Sequence, residues 1–175
     1  MGQCFKTSRV VYIIACNYTI TRERKKQIDF SDPYYFEGTK VFALKQNVNV
    51  PSTKNPEDHL LASLDDLHNK NIGVMLGSTH DTFAHKHYPQ AEIHQYKSPS
   101  DVLLAVKTQK VDVGIYNSIS LKEILKTNSD ISTIGEPFEI MPVAFGFSKD
   151  NTALQQKFNE FLKSIKSSGL YEEII

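Results

Sequence analysis

Residues 19–45 read TITRERKKQIDFSDPYYFEGTKVFALK, and our interpretation of the fold starts from this stretch. Its first part carries hydroxyl and charged side chains, and its end, KVFALK at 40–45, has the apolar composition of a strand. Between these parts, Pro33 fixes its own backbone φ and favours a bend, and the aromatic residues around it are suited to packing. The stretch therefore predicts a polar segment, a packed turn and a strand in close succession.

Segments typical of strands and of helices alternate through the rest of the chain. The sequence predicts strands at 10–18, 40–45, 71–76, 91–96, 111–116, 131–135 and 142–148. It predicts helices near 57–69, 78–88, 98–110 and 120–127 and after 151. The last helix has the clearest pattern, because Leu154, Phe158 and Leu162 recur at intervals of four residues. An alternation of this kind predicts an α/β protein.

The apolar run at 10–14 has two interpretations. Lys6 and Arg9 precede it and Cys16 follows it, as in a bacterial lipoprotein signal, but the apolar part is only about six residues long. β-branched and aromatic residues fill the run without a polar interruption, which is typical of a strand that is covered on both faces. We therefore favour a buried strand, and the chain offers no convincing signal peptide.

The order of the predicted elements indicates two lobes. Residues 47–136 form a contiguous block of alternating strands and helices, whereas the strands at 10–18 and 40–45 lie outside it. We therefore predict lobe two at 47–136 and a discontinuous lobe one made of 1–46 and 137–175. Two chain crossings form a hinge, and a hinge between α/β lobes predicts a cleft for a small ligand.

The composition argues against several classes of function. Twenty basic and twenty acidic residues give a formal net charge of zero, so the overall field favours neither nucleic acid nor an anionic membrane surface. No stretch approaches the roughly 20 apolar residues of a transmembrane helix. Neither the cysteines nor the histidines near 80–87 have a metal-binding spacing, and no nucleophile–base order stands out. We predict a binding protein without a metal or cofactor, and not an enzyme.

Four segments carry a likeness to a known family. The stretch at 19–45 contains Thr-Ile-Thr-x-x-Arg and Asp-Phe-Ser-x-Pro-Tyr, and SLDDLHNKNIGVMLGST, VDVGIYNS and NEFLKSIKSSGLYEEII follow it in order. Together they resemble the family 3 solute-binding proteins, the bilobal amino-acid receptors of bacterial uptake transporters, over about residues 10–175. The resemblance implies a two-lobe fold of the type II periplasmic-binding-protein class. It also implies a periplasmic or extracytoplasmic location and delivery of an amino acid or related carboxylate to an ABC transporter permease.

The resemblance further implies which residues contact the solute. Arg24 offers a planar, bidentate guanidinium to a carboxylate, and Thr19 offers a second contact from lobe one. The turn of Gly77, Ser78 and Thr79, between a strand and a helix, offers backbone N–H donors from lobe two. One anionic group held from both sides would then favour closure of the lobes.

Two asparagines depart from the pattern of the family. Where members have an aspartate that pairs with the ammonium of the solute, this chain has Asn117, which accepts a hydrogen bond but carries no charge. Where many members have a small residue, Asn17 stands two positions before Thr19 and fills part of the predicted cleft. Both are predicted to lie at the ligand. They leave open whether the ligand is a carboxylate without an ammonium or whether the site has lost affinity.

Family members normally begin with further strands and a helix of lobe one, and this chain starts after them. We therefore expect an incomplete first lobe, with Val10–Ile14 at or near an exposed sheet edge. Such an edge is a template for pairing with another chain, which predicts a homodimer or a strand-exchanged assembly that completes lobe one.

Three classes of function therefore remain. The first is a solute receptor for ABC-type uptake, and the second is a sensory or interaction domain on the same scaffold with a degraded or altered pocket. The third is an enzyme, since some relatives act as dehydratases, and fold alone does not separate the three. A titrating carboxylate in the cleft would favour the enzyme, and the sequence offers no obvious candidate for it.

Overall fold

The computed structural model describes residues 13–48, 61, 63–149 and 151–174. It is a mixed α/β structure. Its strands are β1 (Ile13–Thr19), β2 (Ile28–Phe30), β3 (Tyr35–Leu44), β4 (Asn71–Met75), β5 (Glu92–Tyr96), β6 (Val113–Asn117) and β7 (Ile131–Ser148). Its α-helices are α1 (Arg22–Lys25), α2 (Thr79–His87), α3 (Pro99–Lys107), α4 (Ser118–Thr127), α5 (Thr152–Ser167) and α6 (Leu170–Ile174). Two short 3-10 helices span Lys45–Asn47 and Leu64–Asn69.

The chain divides into two compact units. The larger unit is Gly38–Ile140, and the described part of the smaller unit comprises 13–37 and 141–174. The sequence placed these boundaries after residue 46 and after residue 136. The larger unit begins earlier because β3 pairs with β6 over five positions, from Thr39 opposite Asn117 to Ala43 opposite Val113.

The sheet of the larger unit joins four of its strands in the order β3, β6, β4 and β5. β3 runs antiparallel to β6, while β6, β4 and β5 run parallel to one another. The middle of β4, Ile72–Val74, is fully buried, as expected of a parallel strand that helices cover on both faces. The predicted alternation of strands and helices is confirmed in this unit. Ser98 is the N-cap of α3, and its hydroxyl accepts the Asp101 N–H at 3.2 Å.

Close packing in this unit depends on one glycine of β6. The ring of Phe42 lies directly over Gly114, and a Cβ added at Gly114 would come within 2.3 Å of Phe42 Cζ. Phe42 is only 1% exposed and belongs to a buried cluster that includes Val106 and Leu121. A larger residue at position 114 would therefore displace an aromatic side chain from a close-packed core.

The smaller unit is built around the second half of β7. β1 and β2 both run antiparallel to this part of β7, with Ile14 opposite Gly146 and Phe30 opposite the same glycine. Ile14, Ile28, Phe30 and Ala144 form its buried cluster. The helix predicted after residue 151 is confirmed as α5, which is followed by a left-handed Gly169 and by α6.

Four predicted elements differ from the structure. The predicted strands at 131–135 and 142–148 are one strand, β7, because left-handed backbone at Gly135 and Glu139 accommodates Pro137 without ending the strand. Ile14 is buried but Ile13 is 39% exposed, so a strand covered on both faces is wrong for Ile13, and Val10–Tyr12 lie outside the described residues. The helix predicted near 57–69 is a 3-10 helix over Leu64–Asn69 in the described part of that segment.

Within the described residues, none of the helices combines the length and the apolar character that a bilayer span requires.

Candidate functional site

Arg24 and Thr19 lie together in the smaller unit. β1 ends at Thr19, and α1 begins with Thr21 as its N-cap, whose hydroxyl accepts the Arg24 N–H at 3.2 Å. The Arg24 side chain folds back, so that Nη1 donates to the Thr19 carbonyl oxygen at 2.9 Å. Its guanidinium carbon lies 4.0 Å from the centroid of the Tyr18 ring. These two contacts fix the orientation of the guanidinium, and its other N–H groups make no hydrogen bond to a described residue.

Asn17 lies on an irregular part of β1. The register of β1 against β7 shifts between Ile14 and Tyr18, and Asn17 adopts a left-handed φ of 49° within that shift. Its Oδ1 accepts the hydroxyl of Tyr34 at 3.1 Å, and the residue is exposed. Left-handed backbone is more accessible to asparagine than to most residues, so Asn17 has a structural reason for its identity beside any contact with a ligand.

Most backbone N–H groups of the turn before α2 donate hydrogen bonds within the chain. The Gly77 N–H donates to Asp81 Oδ2 at 2.9 Å, and the Ser78 N–H donates to the Met75 carbonyl oxygen at 3.1 Å. Ser78 is the N-cap of α2, and its hydroxyl accepts the Asp81 N–H. The Gly77 and Ser78 N–H groups therefore already donate within the chain, and contact of either residue with a ligand stays a prediction. The Thr79 N–H is the first in this turn that makes no hydrogen bond to another described residue.

Asp81 holds this turn, and the sequence did not single it out for that role. It is 7% exposed, and both of its carboxylate oxygens accept Gln95 Nε2 at 2.9 Å. His85 Nδ1 lies 3.1 Å from Asp81 Oδ1. The available signal was the spacing of Ser78 and Asp81, a cap residue followed by an acid three positions later. Across the described residues, no group of three or more His, Cys, Asp or Glu side chains could hold a metal.

Asn117 lies at the end of β6 and begins α4. It is 8% exposed, and its Oδ1 accepts the Ser120 N–H at 2.7 Å, which makes it the N-cap of α4. β4 and β6 are parallel neighbours, with Gly73 opposite Gly114. Asn117 and the Gly77 turn therefore follow the carboxyl ends of adjacent parallel strands, the edge at which α/β sheets bind ligands.

Glu37, the last residue of the first segment of the smaller unit, was missed by sequence reasoning. It is 8% exposed, and its Oε1 accepts no hydrogen bond from a described residue. Burial raises the pKa of the Glu37 carboxyl to about 7. Burial also raises the pKa of the Tyr34 and Tyr35 phenols, and the charge of Glu37 raises both further. No feature of the sequence YYFEG distinguishes this buried, titrating carboxyl from a solvated one.

The structure thus groups the predicted residues by unit. Asn17, Thr19 and Arg24 lie on one short segment of the smaller unit, and Thr19 contacts Arg24 directly. Gly77, Ser78, Thr79 and Asn117 lie at one edge of the sheet in the larger unit.

The sequence profile described as bacterial extracellular solute-binding proteins, family 3, matches residues 7–175. The chain belongs to this family. The assignment made from the four sequence segments is therefore confirmed, and the name of the family places its members outside the cytoplasm.

Individual members of the solute-binding family are similar along most of this chain. The ABC transporter glutamine-binding protein GlnH of Bacillus subtilis (strain 168) is 27% identical over 161 residues, which cover 92% of this chain and 55% of GlnH. A solved structure of an ancestral arginine-binding protein bound to glutamine is 30% identical with a TM-score of 0.81, covering 94% of this chain and 69% of that one. The α/β fold class of the amino-acid receptors is therefore confirmed.

One solved structure relates the family to an enzyme. The ancestral amino acid-binding protein AncCDT-1, described as a precursor of cyclohexadienyl dehydratase, is 26% identical with a TM-score of 0.80 and covers 93% of this chain. The alignment covers 66% of AncCDT-1. The chain therefore spans between about half and two thirds of the length of the solute-binding relatives described here.

Proposed function

We propose that this chain binds a small solute, an amino acid or a related carboxylate, for uptake through an ABC transporter. The observation that carries the proposal is the Arg24 guanidinium, which a hydrogen bond to Thr19 and a contact with the Tyr18 ring hold in one orientation. An oriented guanidinium presents two parallel N–H donors to a carboxylate, and charge-assisted bonds of this kind are among the strongest in proteins. The relatives named for binding glutamine and arginine support the same class of solute.

The larger unit supplies the second set of contacts in this proposal. The Thr79 N–H, at the start of α2, suits an anionic group, because a helix N-terminus carries partial positive charge. Asn117 contributes its amide N–H donors, since its Oδ1 already caps α4. The binding cleft between the two lobes stays a prediction, as do delivery to a permease and a periplasmic location.

Two other classes of function are alternatives to a solute receptor, namely a sensory or interaction domain and an enzyme. An altered pocket in a sensory or interaction domain is favoured by one observation, namely that the Gly77 and Ser78 N–H groups are already bonded. An enzyme would use a titrating carboxyl such as Glu37, and AncCDT-1 shows that the family has enzymatic relatives. We infer a receptor rather than an enzyme, because GlnH, the ancestral arginine-binding protein and AncCDT-1 are all described as binding amino acids.

The experiment is a thermal-shift panel of L-amino acids and simple carboxylates, followed by calorimetric titration of those that bind. A solute present at about one hundred times its dissociation constant stabilises the folded protein by roughly 2.7 kcal/mol. Arg24→Lys should abolish the stabilisation by acids, because a point charge does not reproduce the guanidinium fork. Arg22→Lys is the matched control, since Arg22 lies on the same helix and is exposed.

The outcomes separate the classes. Binding that is lost in Arg24→Lys and kept in Arg22→Lys supports the receptor and the anchor role of Arg24. Equal affinity in both variants removes the anchor role. If no compound of the panel stabilises the protein, that result contradicts solute binding and favours the sensory or interaction domain.

We also propose that the chain associates as a homodimer through β1. β1 stands at the end of the strand order and pairs only with β7 within the described residues, and Ile13 on it is 39% exposed. An edge strand with exposed apolar residues is a template for pairing with a second copy. Sedimentation equilibrium tests this: a concentration-dependent dimer at tens of micromolar is expected, and a monomer at every concentration would overturn the proposal.

A further inference from the structure

The predicted binding residues contain a cation but no anion. Arg24 is the only charged residue among the seven, and the others are asparagines, hydroxyl residues and a glycine. A free amino acid carries an ammonium beside its carboxylate, and a buried ammonium without an acidic partner is costly. Asn117 does not fill this role, since it has no charge and its carbonyl oxygen caps α4. An amino-acid receptor built on these seven residues alone therefore lacks one partner.

Glu37 is a buried acid that has no cationic partner among the described residues. It is the last residue of the smaller unit before the chain crosses into the larger one at Gly38. More than nine tenths of its surface is buried, and Oε1 accepts no hydrogen bond from a described residue. No lysine, arginine or histidine in the described parts of the chain forms an ion pair with it. Buried carboxyls in proteins are normally bonded or paired, so an isolated one requires an explanation.

The groups near Glu37 supply no positive charge. Tyr34 and Tyr35 precede it on the chain, and their phenols are the titratable groups that interact with its carboxyl. Tyr171 of α6 and Cys16 of β1 interact with Tyr34 in turn. All of these groups are neutral or anionic. The described residues therefore supply no cation to the Glu37 carboxylate.

We propose that Glu37 is the acidic partner for the ammonium or guanidinium group of the solute, an inference that rests on the proposed receptor function. The solute class is then narrower than carboxylates in general: it carries a cationic nitrogen as well as a carboxylate. Arg24 binds the anionic end and Glu37 the cationic end.

A proton balance follows from this assignment. In the free protein, burial leaves a large part of the Glu37 carboxyl protonated near neutral pH. A bound cation favours the carboxylate, so the carboxyl proton passes to the buffer as the ion pair forms. Solute binding should therefore release protons, with the release increasing as the pH falls from about 8 to about 6.

The test is isothermal titration calorimetry in phosphate and in Tris, two buffers with different protonation enthalpies. The probes are L-arginine, which carries two cationic groups, and pentanoate, which carries only a carboxylate. L-Glutamine replaces L-arginine if the thermal-shift panel shows that L-arginine does not bind. We expect Glu37→Gln to lose the buffer-dependent proton release and to bind the amino acid about 30-fold or more weakly, with pentanoate binding unchanged.

Glu160→Gln is the matched control, since Glu160 is an exposed acid on α5 of the same unit, and it should behave as the wild type. Equal amino-acid affinity in Glu37→Gln and wild type would overturn the inference and leave the receptor function standing. If Glu37→Gln does not fold, the wild type decides alone, because amino-acid binding without proton release between about pH 6 and pH 8 would also overturn it. If no compound of the panel binds, the receptor function fails, and this inference fails with it.

Discussion

The two units of the chain bury their apolar side chains to different extents. In the larger unit, β3, β4 and β6 lie between two buried clusters, and Leu121 on α4 is fully covered. In the smaller unit, the apolar face of α5 places only Leu162 in a buried position, and Phe161 beside it remains 56% exposed. Both helices are clearly amphipathic in sequence. A pattern of apolar residues therefore identifies which face of a helix packs against the protein, but not how completely that face is buried.

One substitution in each unit tests this difference, and we expect these to change the free energy of unfolding the most. Leu121→Ala removes a fully buried side chain from a close-packed cluster, and we expect a loss of about 3–5 kcal/mol in the free energy of unfolding. Leu162→Ala should cost about 2 kcal/mol, because its surroundings are partly open and relax into the space. Urea denaturation of both variants, read by circular dichroism, measures the two values. Equal losses would show that the smaller unit is packed as tightly as the larger one.

The second prediction concerns the buried acid at the end of the smaller unit. The folded-state pKa of Glu37 is about 7, above its ordinary value of 4.5, so folding favours the protonated carboxyl. The stability that this preference contributes is complete below about pH 4.5 and is lost as the pH rises through about 7. Glu37→Gln should therefore raise the free energy of unfolding by about 2–3 kcal/mol at pH 8 and change it little at pH 4.5.

Thermal or urea unfolding at several pH values measures this effect, with Glu160→Gln as the exposed control. A gain that is the same at both pH values would show that Glu37 does not titrate in the folded protein. A loss at pH 8 would show that its carboxylate has a partner within the chain.

Part of this fold could be predicted from the sequence, and β7 shows why another part could not. The segments of β4 and β6 were predictable, because short apolar runs between polar turns leave few alternatives. β7 was not, because Pro137 suggested an end to the strand. Left-handed backbone at Gly135 and Glu139, on either side of the proline, lets the strand continue. Such compensation depends on neighbouring strands and has no local sequence signal.

Some features of the candidate site could likewise be predicted from the sequence, and others could not. Arg24 and Asn117 could be named from the sequence, because each falls within a segment that resembles the family. The occupied donors of the Gly77 turn could not, because they depend on the Asp81 carboxylate folding back by one helical turn. Glu37 could not be found either, since burial without a partner is a property of three-dimensional packing.

The third prediction compares the N-caps of two helices. Asn117 caps α4 with a side-chain hydrogen bond to the Ser120 N–H, whereas Asn151 before α5 makes no side-chain cap bond. Asn117→Ala should therefore cost about 1 kcal/mol, while Asn151→Ala should change the free energy of unfolding by a few tenths at most. Paired urea titrations decide the matter. A comparable loss in Asn151→Ala would mean that the end of α5 is capped in solution.

Asn117→Asp should change stability least of these substitutions. It tests whether an acid at position 117 can pair with the cationic group of the solute. Aspartate caps a helix as well as asparagine, and its charge is favourable at the N-terminus of α4, so stability should change by less than about 1 kcal/mol. One carboxylate oxygen would accept the Ser120 N–H, and the other would be available to an ammonium. In the wild type, we expect stronger binding of the amino acid relative to pentanoate. In the Glu37→Gln background, the gain should be larger, because no other acid then pairs with the solute. Calorimetric titration of the four combinations gives the coupling between the two positions. Identical gains in both backgrounds would show that Glu37 and residue 117 act on different groups of the solute, and no gain in either would place residue 117 away from its cationic group.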